Sequence, residues 1–408
     1  MVENRKVSDQ PARTEGGAED IRRRVLFVDD EAGILEGLRN VLRPQRKEWD
    51  MVFAHGGSAG ISELKNSHFD VVVTDMRMPI VDGVSLLNQA KQLQPDAVRL
   101  VLSGQTDADT VLRSAFIAHQ FMAKPCEPAR LKELVTRSFN LQTLLGSEAL
   151  RKLAGDVSSL PSAPKVTLEL VRVLGDPKAT TADAVHIVER DPSICAKILQ
   201  VVNSAFFGLS RRVTSIEMAA NYLGTIALRN LTLSMEAATA ARANCNLSPD
   251  QFQRYQENVL LGASLARNYY KGKRQMADDA FMAAILRDMG WHIQTTLGND
   301  GIEFGTPERS HAALGAYLLG LWGIPHAIIE AVAYHEHPEE LNHDAIDLAD
   351  VIHLADRVAA EVCPSPFETE RPPLATAHLE RLGMTQERMD AMQHEAREMA
   401  SKIKENFT

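Results

Sequence analysis

The run Val25-Leu26-Phe27-Val28-Asp29-Asp30-Glu31 sets four apolar residues directly before three acids. Val71-Val72-Val73-Thr74-Asp75-Met76-Arg77-Met78-Pro79 repeats the plan further along the chain. A short unbroken apolar run closed by polar or turn residues reads as a strand buried on both faces, as in parallel sheets. Similar runs fall at Met51–Ala54, Arg99–Ser103 and Gln120–Ala123. Between the runs, Ile34, Leu35, Leu38, Val41 and Leu42, and then Val84, Leu86 and Leu87, follow helical spacing. Five strands alternating with helices predict an α/β domain with a parallel, doubly wound sheet that ends near residue 140.

In an open parallel sheet, ligands bind beyond the carboxyl ends of the strands. The first strand ends at Asp29-Asp30, the third at Asp75, the fourth at Ser103-Gly104 and the fifth at Lys124-Pro125. These ends converge on one crevice holding three carboxylates, a hydroxyl and an ammonium. Carboxylates so crowded repel unless a cation lies among them, and hard oxygen ligands suit Mg²⁺. A carboxylate such as Asp75 can act as a nucleophile toward a phosphoryl group, with the metal and Lys124 neutralising the transferring oxygens. Ser103 can then hydrogen-bond the acyl phosphate. Helix capping explains Asp30 or Asp75 singly, but not the whole set in this order.

With 45% hydrophobic and 24% charged residues, the composition is that of a globular chain of two or three domains. The net charge is −10 and aromatics are 5%, which disfavours a non-specific nucleic-acid binder, although a local basic patch is compatible with both figures. Cys126, Cys195, Cys245 and Cys363 have neither disulfide-scaffold nor zinc spacing and read as reduced thiols. Residues 1–23 are polar and read as a disordered leader without a secretory apolar core. No run approaches the length of a membrane span. The expected location is cytoplasmic.

From Pro128 onward the strand signal stops. Leu131, Leu134, Val135, Leu141, Leu144, Leu145, Leu150 and Leu153 keep helical spacing to about Gly155. The spacing predicts a helix that leaves the first domain as a connector over 141–159, or two helices broken at Gly146-Ser147. Beyond Leu160-Pro161 the chain reads as helices alone, and its last segment places Met389, Met392, Ala396, Met399 and Ile403 on one packing face. Seven of the thirteen histidines lie between His292 and His353, interleaved with Asp288, Asp350 and Asp356. A helical bundle with inward His and Asp is one way to build a metal-dependent phosphohydrolase.

Residues 24–140 resemble a response-regulator receiver domain through VLFVDDE (25–31), VVVTDMRMPIVDG (71–83), VLSG (101–104) and FMAKP (121–125). The resemblance implies a flavodoxin-like fold in which Asp75 accepts phosphate from a histidine kinase or phosphotransfer protein. It further implies that Asp29, Asp30, Asp75 and the backbone carbonyl of Arg77 hold Mg²⁺. Ser103 and Lys124 would contact the phosphoryl group, and Phe121 would be the aromatic switch.

In the helical part, Leu286-Arg287-Asp288-Met289-Gly290 resembles the LLHDIG signature of HD-type phosphohydrolases, but Arg287 stands where that family has a ligand histidine. No histidine occurs in Gln256-Glu257-Asn258-Val259, which looks like the region of the first family ligand, and Glu336 replaces the second of a histidine pair. Asp288, His311, His335 and Asp356 survive as a degenerate HD site. Leu160-Pro161, Asp191-Pro192, Asn203-Ser204-Ala205-Phe206-Phe207-Gly208 and Asn221-Tyr222-Leu223-Gly224 resemble the HDOD domain over 160–360. That family is generally regarded as acting by protein contacts without catalysis. The expected molecule is a receiver, a connector, an all-α HDOD output domain and a helical extension over 361–408. It has no catalytic residue or assured cofactor in its output domain. A homodimer is compatible with this plan. The alternatives are an HD-type, metal-dependent cyclic-dinucleotide phosphodiesterase and a nucleotide-binding output module.

Overall fold

The computed structural model describes residues 22–104, 117–144, 180–203, 212–224, 248–291, 311–341, 346–366 and 374–407, with isolated positions between 151 and 228. Five strands, β1 (Arg23–Asp29), β2 (Trp49–His55), β3 (Val71–Asp75), β4 (Val98–Gly104) and β5 (Gln120–Lys124), form one parallel sheet in the order β2-β1-β3-β4-β5. Each expected apolar run lies within one of them. Every residue of β3 is buried, and so are Val25 to Asp29 of β1. That is the burial expected of strands covered on both faces. Helices α1 (Ala32–Val41), α2 (Gly57–Asn66) and α3 (Gly83–Leu93) alternate with the first strands, and Pro128–Leu144 closes the domain.

The remaining described chain is helical. Helices Pro249–Tyr269, Arg274–Leu286, His326–Tyr334 and Leu348–Val362 pack as a bundle, which Gln386–Phe407 joins along Pro249–Tyr269 and Leu348–Val362. Their starts follow from local chemistry. The Asp191 side chain accepts from the N–H groups of Ser193 and Ile194 ahead of Pro192. Ser248 with Gln251, and Asp347 with Asp350, form reciprocal caps. The extension behaves as its spacing predicts: Met389, Met392, Ala396 and Ile403 are buried and Met399 packs against them. Buried Asp350 pairs with Arg381 and fastens this end of the chain to the bundle.

The bundle lies against the sheet end opposite the strand-end acids. Gln200 donates from Nε2 to the carbonyls of Ala118 (3.2 Å) and His119 (3.1 Å), just before β5 begins. Arg137 donates to the Ile324 carbonyl at 3.1 Å. Leu141 packs on Gly320 so closely that a Cβ there would lie 2.4 Å from its methyl. The contact with the bundle is therefore made by the helix Pro128–Leu144 together with the residues just before β5. The expected connector beyond Leu144 lies outside the described residues except at Arg151.

Lys197 is fully buried at this junction. Its ammonium donates to Gln200 Oε1 at 2.7 Å and lies 4.4 Å from the Trp322 ring centroid. Burial, with Lys91 adding like charge, pulls its pKa down to about 7. His119 is held well below its usual value by burial, then by Arg99, Lys197 and Lys91. Because Lys197 binds fewer protons folded than unfolded between about pH 7 and 10.5, stability rises with pH through that window. In urea unfolding at pH 6.5 and pH 9, Lys197→Met should be the more stable form at the lower pH and show a flatter pH dependence. An unchanged slope would contradict this assignment.

Candidate functional site

Asp29 and Asp75 end β1 and β3, which are neighbours in the sheet, so their carboxylates face one crevice. Asp29 is 1% exposed and Asp75 7%. Lys124, at the end of β5, donates from Nζ to Asp29 Oδ2 at 2.8 Å and also pairs with Asp75. The Arg77 N–H donates to Asp75 Oδ2 at 2.8 Å, and the Glu31 N–H to Asp29 Oδ1 at 2.9 Å. Asp30 is half-buried beside them and pairs with no cation among the described residues.

Burial is the first cause of a raised Asp75 pKa, and Asp29 adds to it against the opposing pull of Lys124. For Lys124, burial alone would lower the pKa, but its bonds to the two carboxylates outweigh that and raise it. One ammonium thus serves two of the three acids. An unpaired acid beside two crowded carboxylates is a donor set that fits a hard divalent cation, and the residues that would hold Mg²⁺ are present.

The loop after β3 is built to keep Asp75 in place. The Asp82 side chain accepts from the Ser85 N–H at 2.8 Å and starts α3. Gly83 follows because a Cβ there would lie 2.2 Å from the Asp75 carbonyl oxygen. Phe121 is fully buried in β5, next to Val101 of β4. Ser103 belongs to β4, and its side chain lies outside the described residues.

In the bundle, three of the four surviving HD-type residues converge. Asp288 Oδ1 lies 3.5 Å from His311 Nε2 and 4.0 Å from His335 Nε2, and the two imidazole nitrogens are 3.4 Å apart. His335 Nδ1 bonds the Val332 carbonyl at 2.8 Å, which leaves Nε2 of the neutral ring as an acceptor. These three residues could hold a metal ion. The fourth, Asp356, faces Arg287 instead, with its Oδ1 2.9 Å from Arg287 Nε. Asp288 lies 3.3 Å from the same nitrogen. Both contacts are ion pairs without well-aligned hydrogen bonds.

Arg287 is completely buried and completes its bonding with the Ala284 carbonyl (2.9 Å) and Asn258 Oδ1 (2.6 Å). Burial would lower its pKa, but Asp356 and Asp288 outweigh that and raise it. Asp288 is held far below the carboxylate range, because Arg287 and the two histidines outweigh the effect of its burial.

In the sequence, the absence of histidine from Gln256–Val259 and the arginine at position 287 read as separate departures from a pattern, and Asn258 belongs to the first of these. In the structure Asn258 and Arg287 are one hydrogen-bonded pair, and the guanidinium supplies positive charge beside two acids. The other histidines scatter. His326 is exposed, His337 is exposed and pairs with Glu339, and His353 bonds the His335 carbonyl. His292 and His343 lie outside the described residues. Asn203 cross-links the chain, exchanging two 2.7 Å bonds with the Val213 backbone, and Ser204 lies outside the described residues. Lys197, Gln200 and Gln120 at the domain junction were not foreseen, since no motif marks them.

Comparison with known proteins matches residues 25–136 to the response regulator receiver domain and residues 160–306 to the HDOD domain. A Treponema pallidum protein is 23% identical over 51% of this chain and 44% of its own length. The hydrogenase transcriptional regulatory protein HoxA of Bradyrhizobium diazoefficiens is 30% identical over 29% of this chain and 24% of its own. The response regulator protein PilR of Pseudomonas aeruginosa is 30% identical over 31% and 28%. The chain thus spans less than half the length of each of these relatives. Among solved structures, the MmoQ response regulator of Methylococcus capsulatus matches 58% of this chain and 98% of its own, at 21% identity and a TM-score of 0.46. No helix among the described residues is long and apolar enough to cross a membrane.

Removing Arg287 leaves Asp288 and Asp356 buried without their cation. Arg287→Met should destabilise the full chain by about 3–5 kcal/mol in urea unfolding, and adding Asp356→Asn should recover part of the loss. A single variant within about 1 kcal/mol of wild type would show that the pair carries little.

Proposed function

We propose that the chain is a two-component response regulator joining a receiver domain to an HDOD domain, that Asp75 is its phosphoacceptor, and that the β5 end of the sheet is its line to the output domain. The observation that supports this most directly is Lys124 bridging Asp29 and Asp75 at the crevice. In the transfer, a carboxylate oxygen of Asp75 attacks phosphorus, a P–O bond forms, and the P–N bond of a phosphohistidine breaks. The imidazole leaves with that electron pair. Lys124 balances charge on the incoming oxygens, and the Arg77 N–H keeps the second Asp75 oxygen oriented. Mg²⁺ held by Asp29, Asp30, Asp75 and the Arg77 carbonyl would supply the remaining charge neutralisation.

The new acyl phosphate adds charge and acceptors at the end of β5 occupied by Lys124. Gln120 begins the same strand, about 13 Å from Lys124 by strand rise, and lies against Gly323 of the bundle. Phe121 sits between these two ends in the core. A shift of Lys124 toward the phosphoryl group therefore bears on the carbonyls of Ala118 and His119 that Gln200 grips. The partner that supplies phosphate is a histidine kinase or phosphotransfer protein.

We read the HDOD domain as non-catalytic, acting by protein contacts. Arg287 beside Asp288 and Asp356 supports that reading, since its cation competes with any metal for both acids. The alternative, an HD-type phosphohydrolase, needs those acids for metal.

Phosphoramidate with Mg²⁺ should label the wild-type chain and leave Asp75→Asn unlabelled by phosphate-affinity electrophoresis. Beryllofluoride should change hydrogen exchange over residues 118–122 and 197–203 in the wild type and leave Asp75→Asn unmoved. Labelling of Asp75→Asn would remove the acceptor assignment, and unchanged exchange would remove the transmission route.

A further inference from the structure

The net charge of −10 conceals one strongly basic stretch. Arg39-Asn40-Val41-Leu42-Arg43-Pro44-Gln45-Arg46-Lys47 carries four cations and no acid. It runs from the last turn of α1 through the 3₁₀ turn Arg43–Lys47 that leads into β2. All four cations are exposed. A helix C-terminus favours positive charge, which accounts for Arg39. It does not account for what the fold adds.

Arg22, just before β1, Arg39 of α1 and Arg46 of the 3₁₀ turn line one open concavity of about 320 Å³ beside β2. Arg22 donates to the Arg46 carbonyl at 3.4 Å, and the Arg39 guanidinium lies 4.9 Å from the Phe53 ring centroid. No carboxylate pairs with any of the three among the described residues. Their neighbours are matched instead: Arg23 pairs with Asp70 at 3.1 Å, and Arg24 with Asp50 at 2.8 Å. Asp50 also lines the concavity, but Arg24 balances its charge. Three like charges around one space repel, and an anion removes that cost while accepting strong hydrogen bonds.

The sheet edge supplies the other half of a recognition surface. β2 is an outer strand and pairs with β1 alone. On its other side its backbone bonds to no other segment among the described residues. Unpaired N–H and C=O groups on an edge can take up another strand. Like charges facing each other across strands destabilise pairing, so an acidic strand is the one this edge admits. A nucleic acid fits less well. Trp49 is buried and Arg39 covers Phe53, so neither ring offers a face on which a base could stack.

We propose that β2 and these three arginines form a docking edge for an extended acidic segment of another protein. The segment adds a strand beside β2 and sets its carboxylates against Arg22, Arg39 and Arg46. This edge lies across the sheet from β5, so the proposal does not depend on the route to the bundle or on Asp75 as phosphoacceptor.

The probe is a capped, fluorescein-labelled decapeptide of alternating Glu and Val, titrated by anisotropy into the full chain. An alternating Lys and Val peptide and a single-stranded DNA oligonucleotide are the comparators. Wild type should bind the Glu-Val peptide at least about tenfold more tightly than either. Arg39→Gln/Arg46→Gln should lose at least about tenfold for it, since charge-assisted hydrogen bonds are removed. Both residues are exposed, so the variant's Tm should match wild type. The same peptide N-methylated at every residue keeps its charge and loses its strand hydrogen bonds, and it should also bind at least about tenfold more weakly. Undiminished binding by the double variant, or of the N-methylated peptide, would overturn the proposal. DNA binding as tight as that of the Glu-Val peptide would overturn it in favour of a nucleic-acid surface. A wild type that binds no probe would overturn it outright.

Discussion

Lys124 holds the carboxylates of Asp29 and Asp75 together at the C-terminal end of a parallel sheet, and the helical bundle meets the other end of that sheet at the start of β5. In a parallel sheet all strands share one polarity, so one end can concentrate acids while the other docks a second domain. Strand β5 links the two. It begins with Gln120 against the bundle, passes through buried Phe121 and finishes at Lys124. In the proposed route, this hydrogen-bonded strand carries a change at the acid end to the bundle.

The junction is polar and buried, and that makes it adjustable. Lys197 sits in a low-dielectric setting with Gln200 and the Trp322 face as neighbours, and burial disfavours its charged form. Its partner Gln200 uses its amide to hold the Ala118 and His119 carbonyls. Buried polar networks are costly when partly satisfied, so a small displacement of the strand end alters the balance of the whole junction.

The bundle shows a second use of buried charge. Arg287 stands where the sequence pattern of HD-type hydrolases has a histidine, and it bonds Asn258, in the stretch that resembles the region of the first family ligand, at 2.6 Å. The guanidinium provides positive charge close to Asp288 and Asp356, with its geometry set by the bundle itself. His311 and His335 still face Asp288, which explains why the histidine-rich stretch looked like a metal site in one dimension.

The sequence by itself determined the strands, their order of chemistry and the crevice acids. Each of those signals is local: an apolar run marks a strand, and the residue that follows it must lie at the strand's end. It likewise marked the apolar face of the last helix, because periodicity depends on near neighbours. Only the tertiary structure decided that Asn258 and Arg287 form one unit, and that Gln200 reaches the start of β5, at the end of the strand away from Lys124. Those contacts join residues far apart in the chain, and single Asn, Gln, Lys and Arg side chains carry no spacing that announces a partner.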